Sequence, residues 1–215
     1  MNMNEVRKNR KDKAEVKEWV VRAAAVFFKQ KGIRNVRMDD IAAELSISKR
    51  TLYELFQDKE ELLLDVVRLH SEEMHAYMTQ VAMQADNVLE VLLKFYERSA
   101  SDLQHTHRRF FEDMDKYPKV QQFIDENRRN NLDEAMAFYH TGVEQGIFRQ
   151  DVNYGIVRAM VGEQMNILLH SDTCKAYSLA EIFETVVFMH MRGISTEKGL
   201  AIVDDFLRQR SASEA

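Results

Sequence analysis

Apolar residues in this chain recur every three or four positions, the spacing of a helix face rather than the alternation of a strand. Trp19, Val20, Ala23, Ala24, Phe27 and Phe28 build one wide stripe, and the helical pattern begins at about Lys13. Gly32 follows Lys29 and Lys31, the cation-then-glycine signal of a helix C-terminus. A short helix is predicted from Met38 to Leu45, with Asp39 and Asp40 in the first turn, where the helix dipole favours carboxylates. Ser46-Ile47-Ser48 interrupts it, and a second short helix runs from Lys49 to Leu55 with Ser48 as N-cap. Asp58-Lys59-Glu60-Glu61 reads as a capping box before a long helix reaching about Gln84.

In the second half, Asp86 is expected to cap a helix to about Gln104, with Leu89, Leu92, Leu93 and Tyr96 inward. A shorter helix around 106–115 ends at Tyr117-Pro118, where proline stops one helix and can open the next. That next helix is predicted to continue to about Gln145 and stop at Gly146. Further helices are predicted over 151–170, 179–191 and 197–209, with a polar turn at 171–178. Residues 1–13 are polar and basic without apolar periodicity, and are expected to form a disordered tail.

Composition supports an all-α chain. Seven Gly and one Pro in 215 residues are too few for the turns of a sandwich or barrel. A hydrophobic fraction of 45% excludes wholesale disorder. No apolar run approaches the roughly 18 residues that span a bilayer, Val20–Phe28 being broken by Arg22. There is no secretory signal pattern, and the single cysteine, Cys174, has no internal partner and is read as inert. These features point to a cytoplasmic protein without a membrane partner. Charge divides the chain. Residues 1–59 hold fourteen Lys and Arg against nine Asp and Glu, a formal +5, while the rest carry −10, so a polyanion is expected to meet only the head.

Two short helices around a tight turn suggest a helix-turn-helix over about 37–56. Ile41, Leu45, Ile47, Leu52 and Phe56 can fix the angle between the helices. Lys49, Arg50, Thr51 and Tyr53 fit the outer face of the second helix, offering the cations and donors that phosphates and base edges require. Lys59 adds a cation at the start of the next helix.

The order and spacing of these pieces over 14–74 resemble the N-terminal domain of TetR/AcrR-family transcriptional regulators. The matching residues are Ala24-Ala25-Val26-Phe27-Phe28, Gly32, Met38-Asp39-Asp40-Ile41-Ala42, Ile47-Ser48-Lys49-Arg50-Thr51-Leu52-Tyr53, Phe56, and Lys59-Glu60-Glu61-Leu62. Three positions depart from the family pattern. Ser46 stands where glycine is frequent, Arg37 where a Thr or Ser cap is usual, and Glu54-Leu55 replace a His-Tyr pair. The resemblance implies a three-helix DNA-binding domain followed, over 75–215, by a helical ligand-binding and dimerisation domain. It also implies a homodimer on double-stranded operator DNA, more often a repressor, released by a small and largely apolar effector. Expected DNA contacts are Arg37, Ser48, Lys49, Arg50, Thr51, Tyr53 and Lys59.

For the body, Phe95, Tyr96, Phe110, Phe111, Met114, Tyr117, Phe138 and Tyr139 suggest the mixed aromatic and Met lining of an adaptable pocket. Two predicted helices are apolar on more than one face: Ile156, Val157, Met160, Val161, Met165, Ile167, Leu168 and Leu169 in one, Ile182, Phe183, Val186, Val187, Phe188 and Met189 in the other. Such helices are buried twice, so Val157, Val161, Ile182, Val186 and Val187 are expected at a dimer interface. Two other functions compete: a helical protein–protein interaction module with a vestigial helix-turn-helix, and a helical metalloenzyme. The second would use Glu72-x-x-His75 with Asp102-x-x-His105, but no partner Glu is identifiable. With no Gly-rich phosphate loop, G-x-S-x-G or Cys/His nucleophile pattern, the chain is read as a non-enzyme without cofactor or metal site.

Overall fold

A computed structural model describes residues 3–171 and 175–213, with side chains for 13–164, 167, 171 and 175–212. Cys174 therefore lies outside the described residues, as do the side chains of Met165, Leu168 and Leu169. The described residues form eleven α-helices and one isolated bridge, Phe148 to Ser195. They divide into two units, Met1–Met74 with Thr106–Glu126, and His75–His105 with Asn127–Ala215.

The first unit holds α1 (Met3–Lys31), α2 (Met38–Glu44), α3 (Lys49–Leu55), the start of α4 (Lys59–Gln84), α6 (Arg109–Met114) and the start of α7 (Pro118–Asn130). Its core takes Val20, Ala24 and Phe28 from the α1 stripe, Ile41 from α2, Leu52 from α3, Leu62 and Leu63 from α4, and Phe110 and Val120 from the later segment. Burying each of the larger of these side chains contributes about 1.5–3 kcal/mol, which fixes the lateral position of the helices that carry them. Helix α1 extends beyond the predicted start, its backbone remaining helical back to Met3 instead of fraying near Lys13. The physical reason is the absence of Pro and Gly from this stretch, where Lys, Arg and Glu are tolerated at little cost.

The second unit holds the remainder of α4 and α7, with α5 (Val88–Gln104), α8 (Leu132–Glu144), α9 (Tyr154–His170), α10 (Leu179–Ile194) and α11 (Glu197–Ser213). Its core gathers Leu89, Leu93, Tyr96, Ile147, Phe148, Phe183, Phe188, Met191 and Val203. Around the bridge, Arg149 N–H donates to the Ile194 carbonyl and Thr196 N–H to the Ile147 carbonyl, both at 2.9 Å.

Several helix boundaries move from their predicted places. Asn87, not Asp86, caps α5, its Oδ1 accepting from Leu89 and Glu90 N–H at 3.0 and 3.1 Å. The predicted helix from Pro118 to Gln145 is two helices, divided at Asn131, whose neighbours Asn127 and Asn130 also offer side-chain alternatives to the helical ladder. Helix α9 starts at Tyr154, with Asn153 as cap, rather than at Asp151. Helix α10 runs through Gly193 to Ile194, and α11 reaches Ser213. The Asp58 box holds by half. Asp58 accepts from Glu61 N–H at 2.8 Å, but the Glu61 carboxylate takes the N–H of Gln57 instead of Asp58.

Candidate nucleic-acid interface and effector region

Helices α2 and α3 have only seven residues each, too short to persist on cooperativity alone. They are held by packing, since Ile41, Ala42, Leu52 and Phe56 are buried and Leu45 and Ile47 are half-buried against them. The turn between them places Ser46 at φ +53°, where glycine would be unstrained. Ile47 N–H returns to the Ala42 carbonyl at 3.0 Å and closes the turn. Ser48 caps α3, its Oγ accepting from Thr51 N–H at 3.0 Å and lying 2.8 Å from the Thr51 hydroxyl. At the start of α2, Arg37 N–H donates to the Asp40 carboxylate at 2.9 Å, which orders the entry to the helix without replacing the absent hydroxyl cap.

The outer face is polar as expected. Arg37, Ser48, Lys49, Arg50 and Tyr53 are exposed and Thr51 is half-buried. Two of its cations, Lys49 and Arg50, have partners within the chain. Lys49 pairs with Asp39 at 2.7 Å and Arg50, its side chain 88% exposed, with Glu54 at 2.8 Å. The hydrogen bond that Lys49 donates to Asp39 raises the Lys49 ammonium pKa, and that from Arg50 lowers the Glu54 carboxyl. Such exposed pairs are weak because water screens them, so a phosphate can replace either carboxylate.

Lys59 differs from the expectation of a cation presented to phosphate. Its ammonium is turned inward and donates to the carbonyls of Ile33 and Val36, both at 3.0 Å. Burial lowers its pKa, opposed by the charge of Asp113. The cause is tertiary, because the α1–α2 turn brings these two carbonyls within reach of the first turn of α4.

The eight predicted pocket residues do not share one core. Phe110 is buried in the first unit, where Phe111, Met114 and Tyr117 pack against the same cluster. Phe95, Tyr96, Phe138 and Tyr139 belong to the second. There Tyr139 stacks on Tyr154 with ring centroids 4.8 Å apart, and burial raises its pKa. Tyr96 is enclosed by Phe183, Phe188 and Phe206, and its hydroxyl donates to Glu184 at 2.9 Å and accepts from Arg210. Sequence reasoning missed this triad, because no local spacing joins residues on α5, α10 and α11.

The predicted interface residues also divide. Ile182 and Val186 are 6% and 3% exposed within the single chain, and Val157, Val161 and Val187 are half-buried. Among the described residues, the large apolar side chains left in solvent on α9 and α10 are Ile156, Met160, Ile167 and Met189. A helix apolar on two faces does not disclose by periodicity which face is outward. Among the described residues no group of three or more His, Cys, Asp or Glu could hold a metal ion. The His105 ring of the predicted Asp-His pair is instead hydrogen-bonded to the Ser101 carbonyl at 2.9 Å. No described helix is long and apolar enough to cross a membrane.

Comparison with known proteins agrees with this geometry. The family model for bacterial regulatory proteins, tetR family, matches residues 20–66, the stretch from the α1 core stripe to α4. The HTH-type transcriptional repressor KstR2 of Mycobacterium tuberculosis is 24% identical over 139 residues, 62% of this chain and 70% of that one. The solved structure of the ketosteroid transcriptional regulator KstR2 from the same organism has a TM-score of 0.56 at 20% identity, covering 84% of this chain and 95% of that one. A transcriptional regulator from Saccharomonospora viridis, in complex with choline, has a TM-score of 0.67 at 18% identity, covering 86% and 100%. At these identities the two structures establish a shared fold. The tetR family model thus covers the helix-turn-helix stretch of this chain, and the helical fold is shared with these regulators.

Proposed function

We propose that this protein is a cytoplasmic, homodimeric transcriptional repressor that reads operator DNA with α3 and leaves it on binding a small, largely apolar molecule. The observation that carries the reading is the Ser48-capped α3, which buries Leu52 and presents Lys49, Arg50, Thr51 and Tyr53 outward. Phosphates supply affinity to such a face and base edges supply specificity. Arg37, at the first turn of α2, extends the contact, and Lys59 acts by holding the turn behind it.

Two copies are needed because one seven-residue helix reads few base pairs, and a symmetric pair reads two half-sites about 34–36 Å apart or more. Ile156, Met160, Ile167 and Met189 form the apolar face that a second copy covers, with Val157, Val161 and Val187 half-buried behind it. The effector belongs in the aromatic body around Phe95, Phe138, Tyr139 and Tyr154, because mixed aromatic linings with few polar tips suit apolar molecules. The relative KstR2 is named as a ketosteroid regulator, which supports an apolar effector class here.

The test is selection from a random pool of duplexes, followed by titration at several salt concentrations. Enrichment of a two-fold symmetric sequence, with affinity falling as salt rises, is the expected result. Failure to enrich any sequence overturns the reading and favours the interaction module, for which the neutralised pairs Lys49–Asp39 and Arg50–Glu54 suit a protein surface.

A further inference from the structure

We infer that Asp113, on α6, is a positioning residue for the DNA-reading helices: its buried carboxylate holds the turn from which α2 departs, and with α2 the aim of α3. The inference rests on the DNA-binding reading above. The turn from Gly32 to Arg37 is the covalent link between α1 and α2. Its own backbone closure is weak, Val36 N–H reaching the Ile33 carbonyl at 3.4 Å. Side chains from elsewhere complete it. Asp113, 7% exposed, accepts the Arg34 N–H at 2.9 Å across 79 positions of sequence. Lys59 occupies the carbonyls of Ile33 and Val36.

Asp113 is itself fixed in place. His107 N–H donates to the Lys29 carbonyl at 2.7 Å, Phe110 is buried in the core of the same unit, and Lys119 N–H donates to the Glu60 carboxylate at 2.9 Å. Lys116 lies 3.5 Å from the second Asp113 oxygen. Gly32, at φ +81°, lets α6 come down on the turn, since a Cβ there would lie 2.8 Å from Arg109 Cβ. A buried carboxylate is costly unless hydrogen-bonded, and its directional bond defines a geometry that apolar packing alone would leave loose. Because α2 and α3 are short and move with this turn, a shift of the turn displaces the base-reading side chains. Phosphate attraction is longer-ranged and tolerates that shift, whereas base readout does not.

The full chain is titrated with a duplex recovered by the wild-type protein from a random pool, and with a random-sequence duplex of equal length. In Asp113→Ala, the ratio of specific to non-specific affinity falls about tenfold or more, with random-duplex affinity within about twofold of wild type. Asp113→Asn keeps an oxygen for the Arg34 N–H and stays within about threefold of the wild-type ratio. Lys59→Met, which frees the two carbonyls, lowers the ratio as Asp113→Ala does. If Asp113→Ala lowers the melting temperature but leaves the ratio unchanged, Asp113 is only structural and the inference is overturned. If Asp113→Ala does not fold, the other two variants decide, and an unchanged ratio in Lys59→Met or a collapsed one in Asp113→Asn overturns it. A wild-type protein that recovers no preferred duplex removes the DNA reading itself, a failure visible before any variant is made.

Discussion

Arg50 and Glu54 meet at 2.8 Å, one turn apart on the outward face of α3, so the more exposed cation of that helix is partnered by a carboxylate on its own helix. Glu54→Gln removes a charge that repels phosphate and releases Arg50. Affinity for random-sequence duplex should rise about three- to tenfold at low salt, while Arg50→Gln lowers it by a similar factor. Gel shift at two salt concentrations checks both, and equal affinities of wild type and Glu54→Gln would place this face away from DNA.

Salt dependence gives a second measure of the same face. Removing one cation that neutralises a phosphate should flatten the slope of log affinity against log salt by about 0.9. Lys49→Gln and Arg50→Gln are each expected to reduce the slope by about that amount. Lys59→Met, with its ammonium turned to Ile33 and Val36 in the wild type, is expected to keep the slope while specificity falls. A flattened slope in Lys59→Met would return that residue to the phosphate-binding set.

The apolar face of α9 and α10 separates association from folding. Ile156→Glu with Met160→Glu places charge on exposed positions and should yield folded monomers, read by light scattering with an unchanged helical circular dichroism signal. Val186→Glu buries a charge inside the single chain and should instead unfold the body, at a cost of several kcal/mol. A dimeric Ile156→Glu/Met160→Glu protein would move the interface elsewhere.

Tyr96 should report on pH. Burial first, and then the neighbouring Glu184, push its phenol up to about 12. Between the ordinary phenol value and that one, the folded chain keeps a proton that the unfolded chain has already released. Stability is therefore lost as pH rises from about 10 towards 12, because the unfolded chain releases the proton first. Denaturant titrations of wild type and Tyr96→Phe across this range compare the slopes. An identical slope in Tyr96→Phe would show that its hydroxyl titrates as it does in the open chain.

Gly142 on α8 tests the packing of the body. A Cβ there would lie 2.0 Å from a Phe148 ring carbon, so Gly142→Ala must displace the ring. A destabilisation of about 1–3 kcal/mol is expected despite the better helix propensity of alanine. A rise in the urea midpoint would contradict the packing.

What was legible in the sequence was local. The Gly32 stop, the Ser48 cap, the Pro118 start and the inward set Ile41, Leu45, Ile47, Leu52 and Phe56 depend on neighbours within a few residues, and each stands in the structure as read, while the α1 stripe stands except at Trp19, which is exposed. The outward face of α3 was legible for the same reason, since one buried residue, Leu52, fixes which way a short helix points. Whatever depended on distant partners was decided only by the tertiary structure. Composition does not say that Phe110 and Phe111 join the first core while Phe138 and Tyr139 join the second, because any of them satisfies either apolar environment. Likewise the direction of the Lys59 ammonium, the burial of Ile182 and Val186, and the carboxylate that Asp113 lends to Arg34 follow from which backbone groups and faces lacked partners after packing. A buried polar group must be satisfied wherever its partner lies along the chain, and helical periodicity carries no record of a partner 79 positions away.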